Sequence, residues 1–256
     1  MRTVFPDEAE ERLKAEFFGT TRGFFVDVGA NDPQCGSQSW ALEQAGWRGV
    51  LIEPQPDLAE KLRRNRSARV FAAACSSPGN AGKTMPLYLA GMLSSLDGGL
   101  AVTGMRPQGI VEVPIRTLDD MLTEAAAPSP IDFLSIDIEG HEVEALTGFD
   151  FARWRPRLIL MEDHVTSLAK HRLLLRSGYR LIRRTGLNGW YVPGDVAPKQ
   201  GFFGWWSIAR KYYFALPIRI LREKKRRLRD RIRLGRRLPA TGVGTTRVGL
   251  KRLLFR

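Results

Sequence analysis

The 256 residues are long enough for one substantial core, and 43% hydrophobic against 26% charged residues is the balance of a globular protein. The formal charge of +13 is confined to the end of the chain: residues 1–196 carry 22 Lys and Arg against 25 Asp and Glu, and residues 197–256 carry 18 against 2, which disfavours a nucleic-acid enzyme with a basic catalytic face. Two isolated cysteines exclude a disulfide framework or zinc cluster; with no run of ~18 apolar residues and no signal-peptide pattern, a cytoplasmic location is expected.

Residues 7–18 read as a short amphipathic helix with Leu13, Phe17 and Phe18 on its apolar side. The aromatic and β-branched run 23–28 predicts a buried strand, closed by the turn Gly29-Ala30-Asn31. A helix over 37–45 stopped by Gly46, a second buried strand over 49–53, a charged helix over 56–65 with Pro56 at its start, and a third strand over 69–74 follow. Residues 76–109 are rich in Gly, Ser and Pro and predict a long irregular connection, with Ser94 and Ser95 as polar contacts of an acceptor pocket. The run 111–115 reads as an edge strand because of Pro114, and Thr117 as the N-cap of a helix reaching 123. Strand 131–137, helix 139–146, strand 157–162, helix 167–176 and short final strands over 179–182 and 190–192 complete the pattern. Such alternation predicts an α/β fold, a mostly parallel sheet with helices on both faces. The organisation expected is an N-terminal helix (1–22), an α/β domain (23–196) and an aromatic, basic C-terminal tail (197–256).

In sheets of this kind the ligand lies at the carboxyl ends of the strands, which directs attention to Asp27–Asn31, Glu53, Ala74–Ser76, Asp137–Glu139 and Glu162–His164. Glu53 falls where an acid accepts ribose hydroxyls, in NAD-binding and other adenosine-binding enzymes alike. The first turn discriminates. A pyrophosphate needs a G-x-G-x-x-G turn at a helix N-terminus, whereas here one glycine is flanked by Asp27 and Asp32, which suit a ligand with a positive end. An NAD-dependent oxidoreductase is therefore the lesser alternative, and a non-catalytic module anchored to membrane or RNA by the tail is another. His164, just past a strand end, is the candidate general base; His171 reads as a surface residue, and His141 faces either the pocket or away from it. Asp137, Glu139 and Asp163 form a candidate set of hard oxygen ligands for magnesium, and the first two are equally candidates to cap the helix beginning near 140.

The sequence resembles the FkbM family of methyltransferases. The resemblance is carried by residues 25–31 (F-V-D-V-G-A-N), 52–54 (I-E-P), 117–120 (T-L-D-D), 131–132 (I-D), 136–142 (I-D-I-E-G-H-E) and 161–164 (M-E-D-H), and spans roughly residues 23–192. It implies a Rossmann-like methyltransferase sandwich with S-adenosyl-L-methionine as donor and an oxygen acceptor on a sugar, glycan or glycosylated product. By that resemblance Asp27, Gly29, Ala30 and Asn31 border the methionine part of the cofactor. Glu53 and Pro54 lie at the ribose, and Ala74, Cys75 and Ser76 near the adenine. His164, Asp137 and Asp163 are then the catalytic candidates. The sequence departs from the family pattern at Ser135, where Lys is more usual, and at Asp32-Pro33, which displace a glycine that Gly36 supplies later.

The tail lies outside this resemblance. Residues 202–214 hold seven of the 24 aromatic residues, and Ile218, Leu221, Leu228 and Ile232 share one face of a basic amphipathic helix interrupted by Lys225. Aromatic residues beside such a helix suit an anionic membrane surface, placing the protein peripheral to a membrane; packing of the aromatics on the core is the other expectation, and nucleic acid is the least favoured partner.

Overall fold

A computed structural model describes residues 8–90, 94–96, 108–163, 167–196 and, further along, 206, 208–222, 224, 225 and 229. Helix α1 (Glu8–Phe18) leads into β1 (Phe24–Val28); α2 (Trp40–Gln44), β2 (Arg48–Ile52), α3 (Pro56–Asn65) and β3 (Arg69–Phe71) follow. After β4 (Ala74–Cys75) come β5 (Thr84–Leu89), β6 (Gly109–Arg116), α4 (Leu118–Glu124), β7 (Phe133–Ile136), α5 (Glu142–Thr147) and α6 (Phe151–Trp154). Strand β8 (Leu158–Glu162), α7 (Ala169–Arg176), β9 (Tyr179–Thr185) and β10 (Asn188–Pro193) close the sheet. A π-helical turn (Arg210–Phe214) then continues as helix through the described part of 216–229.

The main sheet has the order β3-β2-β1-β7-β8-β10-β9. Five strands run parallel, and β10 lies antiparallel between β8 and β9. The order reverses between β1 and β7, so a crevice opens there at the carboxyl ends of the strands. Alternate residues of each strand feed opposite faces. Val26, Val28, Leu134 and Ile136 pack with α4, α5 and α7; Phe25, Leu51 and Phe133 pack with Phe18, Leu42 and Leu62 from the first three helices.

Three strand expectations need correction. The run 69–74 is not one strand: β3 ends at Phe71, and β4 joins a separate three-stranded sheet of order β4-β6-β5. Strand β5 stands in the stretch expected to be irregular; Pro86 hides it, and its edge position tolerates that proline. Strand β6 is central rather than an edge. Ile115 N–H donates toward β5, to Lys83 O at 2.9 Å, so the nitrogen of Pro114 faces β4, whose pairing begins only at Ile115. The missing donor therefore costs no ladder bond.

The expected break at 197 is not a break in packing. Ala209 and Tyr212 are buried, and Tyr212 belongs to the main core cluster, while Trp206, Tyr213 and Phe214 are exposed. Packing on the core, the second expectation for the tail aromatics, holds for Tyr212. Phe202, Phe203, Trp205, Leu228 and Ile232 lie outside the described residues.

Candidate active site

A cleft of about 950 Å³, its open mouth included, occupies the crevice. Asp27, Gly29, Ala30 and Asn31 line it from β1 and its turn, Glu53 and Pro54 from the end of β2, and Ala74 and Cys75 from β4. Asp137, Glu139 and His141 close it after β7. Gly29 is obligatory for reasons of space: its φ is +86°, and a Cβ there would stand 1.9 Å from the carbonyl oxygen of Asp137. The two loops that face each other across the switch point touch backbone to backbone.

Glu53 is the most ordered acid of the cleft. Its Oε2 accepts Asn31 N–H at 2.9 Å and its Oε1 accepts Gln55 N–H at 2.8 Å, which fixes the carboxylate plane. Burial pushes its pKa up, with Asp27 adding a smaller repulsion. Each oxygen retains acceptor capacity after one amide bond. Burial likewise raises Asp27, but Ser39 Oγ donates to its Oδ2 at 2.6 Å, and Arg66, Lys14 and Ser135 oppose the rise. Asp27 is therefore less bare than the sequence suggested.

Arg66 and Lys14 escape sequence reading because nothing marks a basic residue at a helix end or on an N-terminal helix as buried. The Arg66 guanidinium ion-pairs with Glu43 and donates to Pro33 O at 3.0 Å, Ser37 Oγ at 3.2 Å and Ser39 Oγ at 3.0 Å. It thereby clasps the loop that forms one cleft wall. Lys14 is 1% exposed and donates to Gln38 O at 2.6 Å. Asp32, expected at the mouth, instead accepts the amides of Gln34 and Cys35 and pairs with Lys61 at 2.6 Å. Gly36, with φ +75°, makes the later turn of the same loop.

Beyond β7, Glu139 (φ +52°) and Gly140 (φ +104°) turn the chain before α5 begins. Neither Asp137 nor Glu139 caps that helix; His141 is its N-cap residue, and its side chain makes no capping bond. Asp137, Glu139 and Glu162 bring carboxylate oxygens within 4.8 Å of one another. Asp163 does not join them, because successive residues at a strand end point to opposite sides. Its charge acts instead on His171, Tyr191 and Tyr212. The three converging acids could offer oxygens to a divalent cation, but acid clusters are common without one, so magnesium is not inferred. Burial and mutual repulsion raise all three, Glu139 to about 7. Lys170 offsets them: its ammonium pairs with Glu142 at 2.7 Å and donates to Glu162 O at 3.0 Å.

Ser76 is buried behind the cleft wall. Asn80 Nδ2 donates to its Oγ at 3.1 Å, and the Oγ lies 2.9 Å from His141 Nε2. Cys75 is buried, which pushes its thiol up and leaves it inert. His171 is not a surface residue: it is 4% exposed, with Nδ1 3.0 Å from Tyr191 Oη. His164 lies outside the described residues.

A family model described as Methyltransferase FkbM domain matches residues 27–181, more than half of the chain. The chain belongs to the FkbM methyltransferase family. Membership of this FkbM family does not favour the oxidoreductase reading. Among solved structures, this FkbM protein is similar to methyltransferase FkbM from Methylobacillus flagellatus KT, with 17% identity, 67% of this chain and 43% of that chain covered, and a TM-score of 0.43. It is also similar to monomeric WbdD, with 11% identity, 74% and 41% covered, and a TM-score of 0.43. The N-terminal domain of human METTL16 in complex with SAH gives 14% identity, 72% and 66% covered, and a TM-score of 0.36. The FkbM chain spans less than half the length of the first two. No match was found among curated proteins.

Proposed function

We propose that this methyltransferase uses S-adenosylmethionine and acts on a hydroxyl group of a sugar, glycan or glycosylated product. The observation that carries the donor assignment is Glu53, a buried carboxylate held by two backbone amides at the end of β2 with acceptor capacity left on both oxygens. A vicinal diol suits that pair of oxygens. The β1 turn has no glycine-rich cradle for a pyrophosphate, which supports a phosphate-free adenosine ligand. When bound, the sulfonium supplies a methyl group for in-line displacement.

The chain's own residues then have separate tasks. Asp27, with its charge tempered by Arg66 and Lys14, holds the methionine end, and Ala74 and Cys75 offer apolar contact to the adenine. An alcohol must lose its proton as it attacks, and Glu139 and His164 are the two groups proposed to receive it. Glu139 lines the cleft and, at about 7, is matched to neutral pH. The sugar acceptor is supported by the family resemblance and by two polar residues that line the cleft, Gln38 and Ser95.

Calorimetry with S-adenosylhomocysteine tests the donor. Saturable binding is expected, with NAD inert, and Glu53→Gln should weaken it about 10- to 100-fold, the worth of a hydrogen bond to a charged group. Unchanged affinity in that variant would remove the assignment. Labelled methyl transfer to a panel of glycosides, but not to their fully O-methylated counterparts, is expected for the acceptor class.

A further inference from the structure

The C-terminal helical segment carries an apolar face that none of the described residues covers. Trp206, Tyr213, Phe214, Ile218 and Leu221 are 44–64% exposed, and the rings of Trp206 and Phe214 meet at a tilt, centroids 5.5 Å apart. Ile218 and Leu221 share one face of the helix that starts at 216, with Lys225 next in register, and Phe214 ends the π-helical turn just before it. Arg210, Arg222, Lys224, Lys225 and Arg229 are exposed around it, and Glu223 is the only acid in the sequence from 206 to 229. The face is firmly mounted. Tyr212 is fully buried, its hydroxyl accepts from Arg184 Nη1 at 3.1 Å, and the other arm of Arg184 donates to Asp163 O, one residue past Glu162.

We infer that this face seats the protein on an anionic lipid surface. Exposed aromatic and aliphatic side chains gain by leaving water, and the basic side chains around them require negative charge nearby; an acidic bilayer offers both at once. A second copy of the chain would bring another segment of 18 basic against 2 acidic residues, so self-association is opposed by charge. RNA would satisfy the cations and stack on the rings but leave the aliphatic Ile218 and Leu221 in water. Because Tyr212 and Arg184 mount the face at the cleft end of the sheet, acceptors carried on the same surface come within reach. The inference does not depend on the donor assignment.

Flotation of the full chain with phosphatidylcholine vesicles, with and without phosphatidylglycerol, tests it. Binding is expected only to the anionic vesicles and should fall with salt. The triple variant Phe214→Ser, Ile218→Ser, Leu221→Ser, which keeps every charge, should lower the bound fraction at least tenfold. So should Arg222→Glu, Lys224→Glu, Lys225→Glu, which keeps every apolar group. Melting temperatures matching the parent establish that both variants fold, and either one suffices for the test. Equal binding to neutral vesicles, indifference to both substitutions, or capture of an RNA oligonucleotide while vesicles are ignored would overturn the inference.

Discussion

Tyr212 reaches the core through Arg184: the phenol oxygen accepts from one guanidinium nitrogen while the other holds the carbonyl of Asp163. The phenol ring also lies 4.6 Å from the imidazole of His171, centroid to centroid. Tyr212→Ala should therefore cost about 3–5 kcal/mol, as expected when a buried aromatic is truncated. Tyr212→Phe should cost about 1–2 kcal/mol, for the hydrogen bond alone. Tyr213→Ala, at an exposed neighbour, should stay within about 0.5 kcal/mol. Urea titration of the three variants checks the ranking, and comparable losses at 212 and 213 would contradict it.

Gly29→Ala should be among the most damaging small substitutions in the chain. The new methyl meets a backbone oxygen, and the residue must also keep a left-handed φ. Together these predict a loss of about 2–5 kcal/mol. Gly79→Ala, with open space and no positive φ, serves as the comparison and should be nearly neutral.

Arg66→Ala takes the guanidinium from Glu43, leaving its carboxylate only the Ser67 and Ala68 donors among its described partners, and releases the loop behind the cleft wall. Breaking a buried pair on one side costs about 3–5 kcal/mol. Amide hydrogen exchange should rise over residues 33–39 before it rises in the strands. Uniform protection in the variant would show that the clasp does not hold the loop.

The carboxylates beyond β7 predict a pH dependence with a definite sign. Glu139 is raised from an ordinary 4.5 to about 7, and Asp137 and Glu162 are raised as well. Below about 4.5 these groups are protonated in folded and unfolded chains alike. As pH climbs to 7 the unfolded chain ionises first, so this stabilisation is lost across that window. Glu139→Gln should accordingly raise the melting temperature more at pH 7 than at pH 5. A difference independent of pH would refute the placement of the proton.

Much of the family signature turns out to hold the frame. Thr117 caps α4 by accepting Asp120 N–H, and Asp119 accepts Trp154 Nε1 at 2.7 Å and Asp150 N at 2.9 Å. Asp132 accepts Phe24 N at 2.9 Å, and Glu142 is fully buried against Lys170. The parallel strands were legible because both their faces are buried and they read as continuous apolar runs. The cleft acids were legible because strand ends are few. Strand β5 was hidden by Pro86, and the partners of the acids, Arg66, Lys14 and Lys170, come from distant helices with no local pattern to mark them. Which of Glu162 and Asp163 faces the cleft depends on a half-turn of strand, which composition does not encode.

The reversal of β10 decides where the chain must go next. Asn188 stands opposite Glu162 at the cleft end, whereas Pro193 stands opposite Tyr179 at the far end. Nineteen residues later Tyr212 is back beside Arg184, which pairs with Gly189 near the cleft end. Residues beyond the sheet are therefore packed again at its cleft end. Without that segment His171 would keep Tyr191 but lose the Tyr212 ring, and Arg184 would lose the hydroxyl it donates to, so residues beyond the sheet complete this wall.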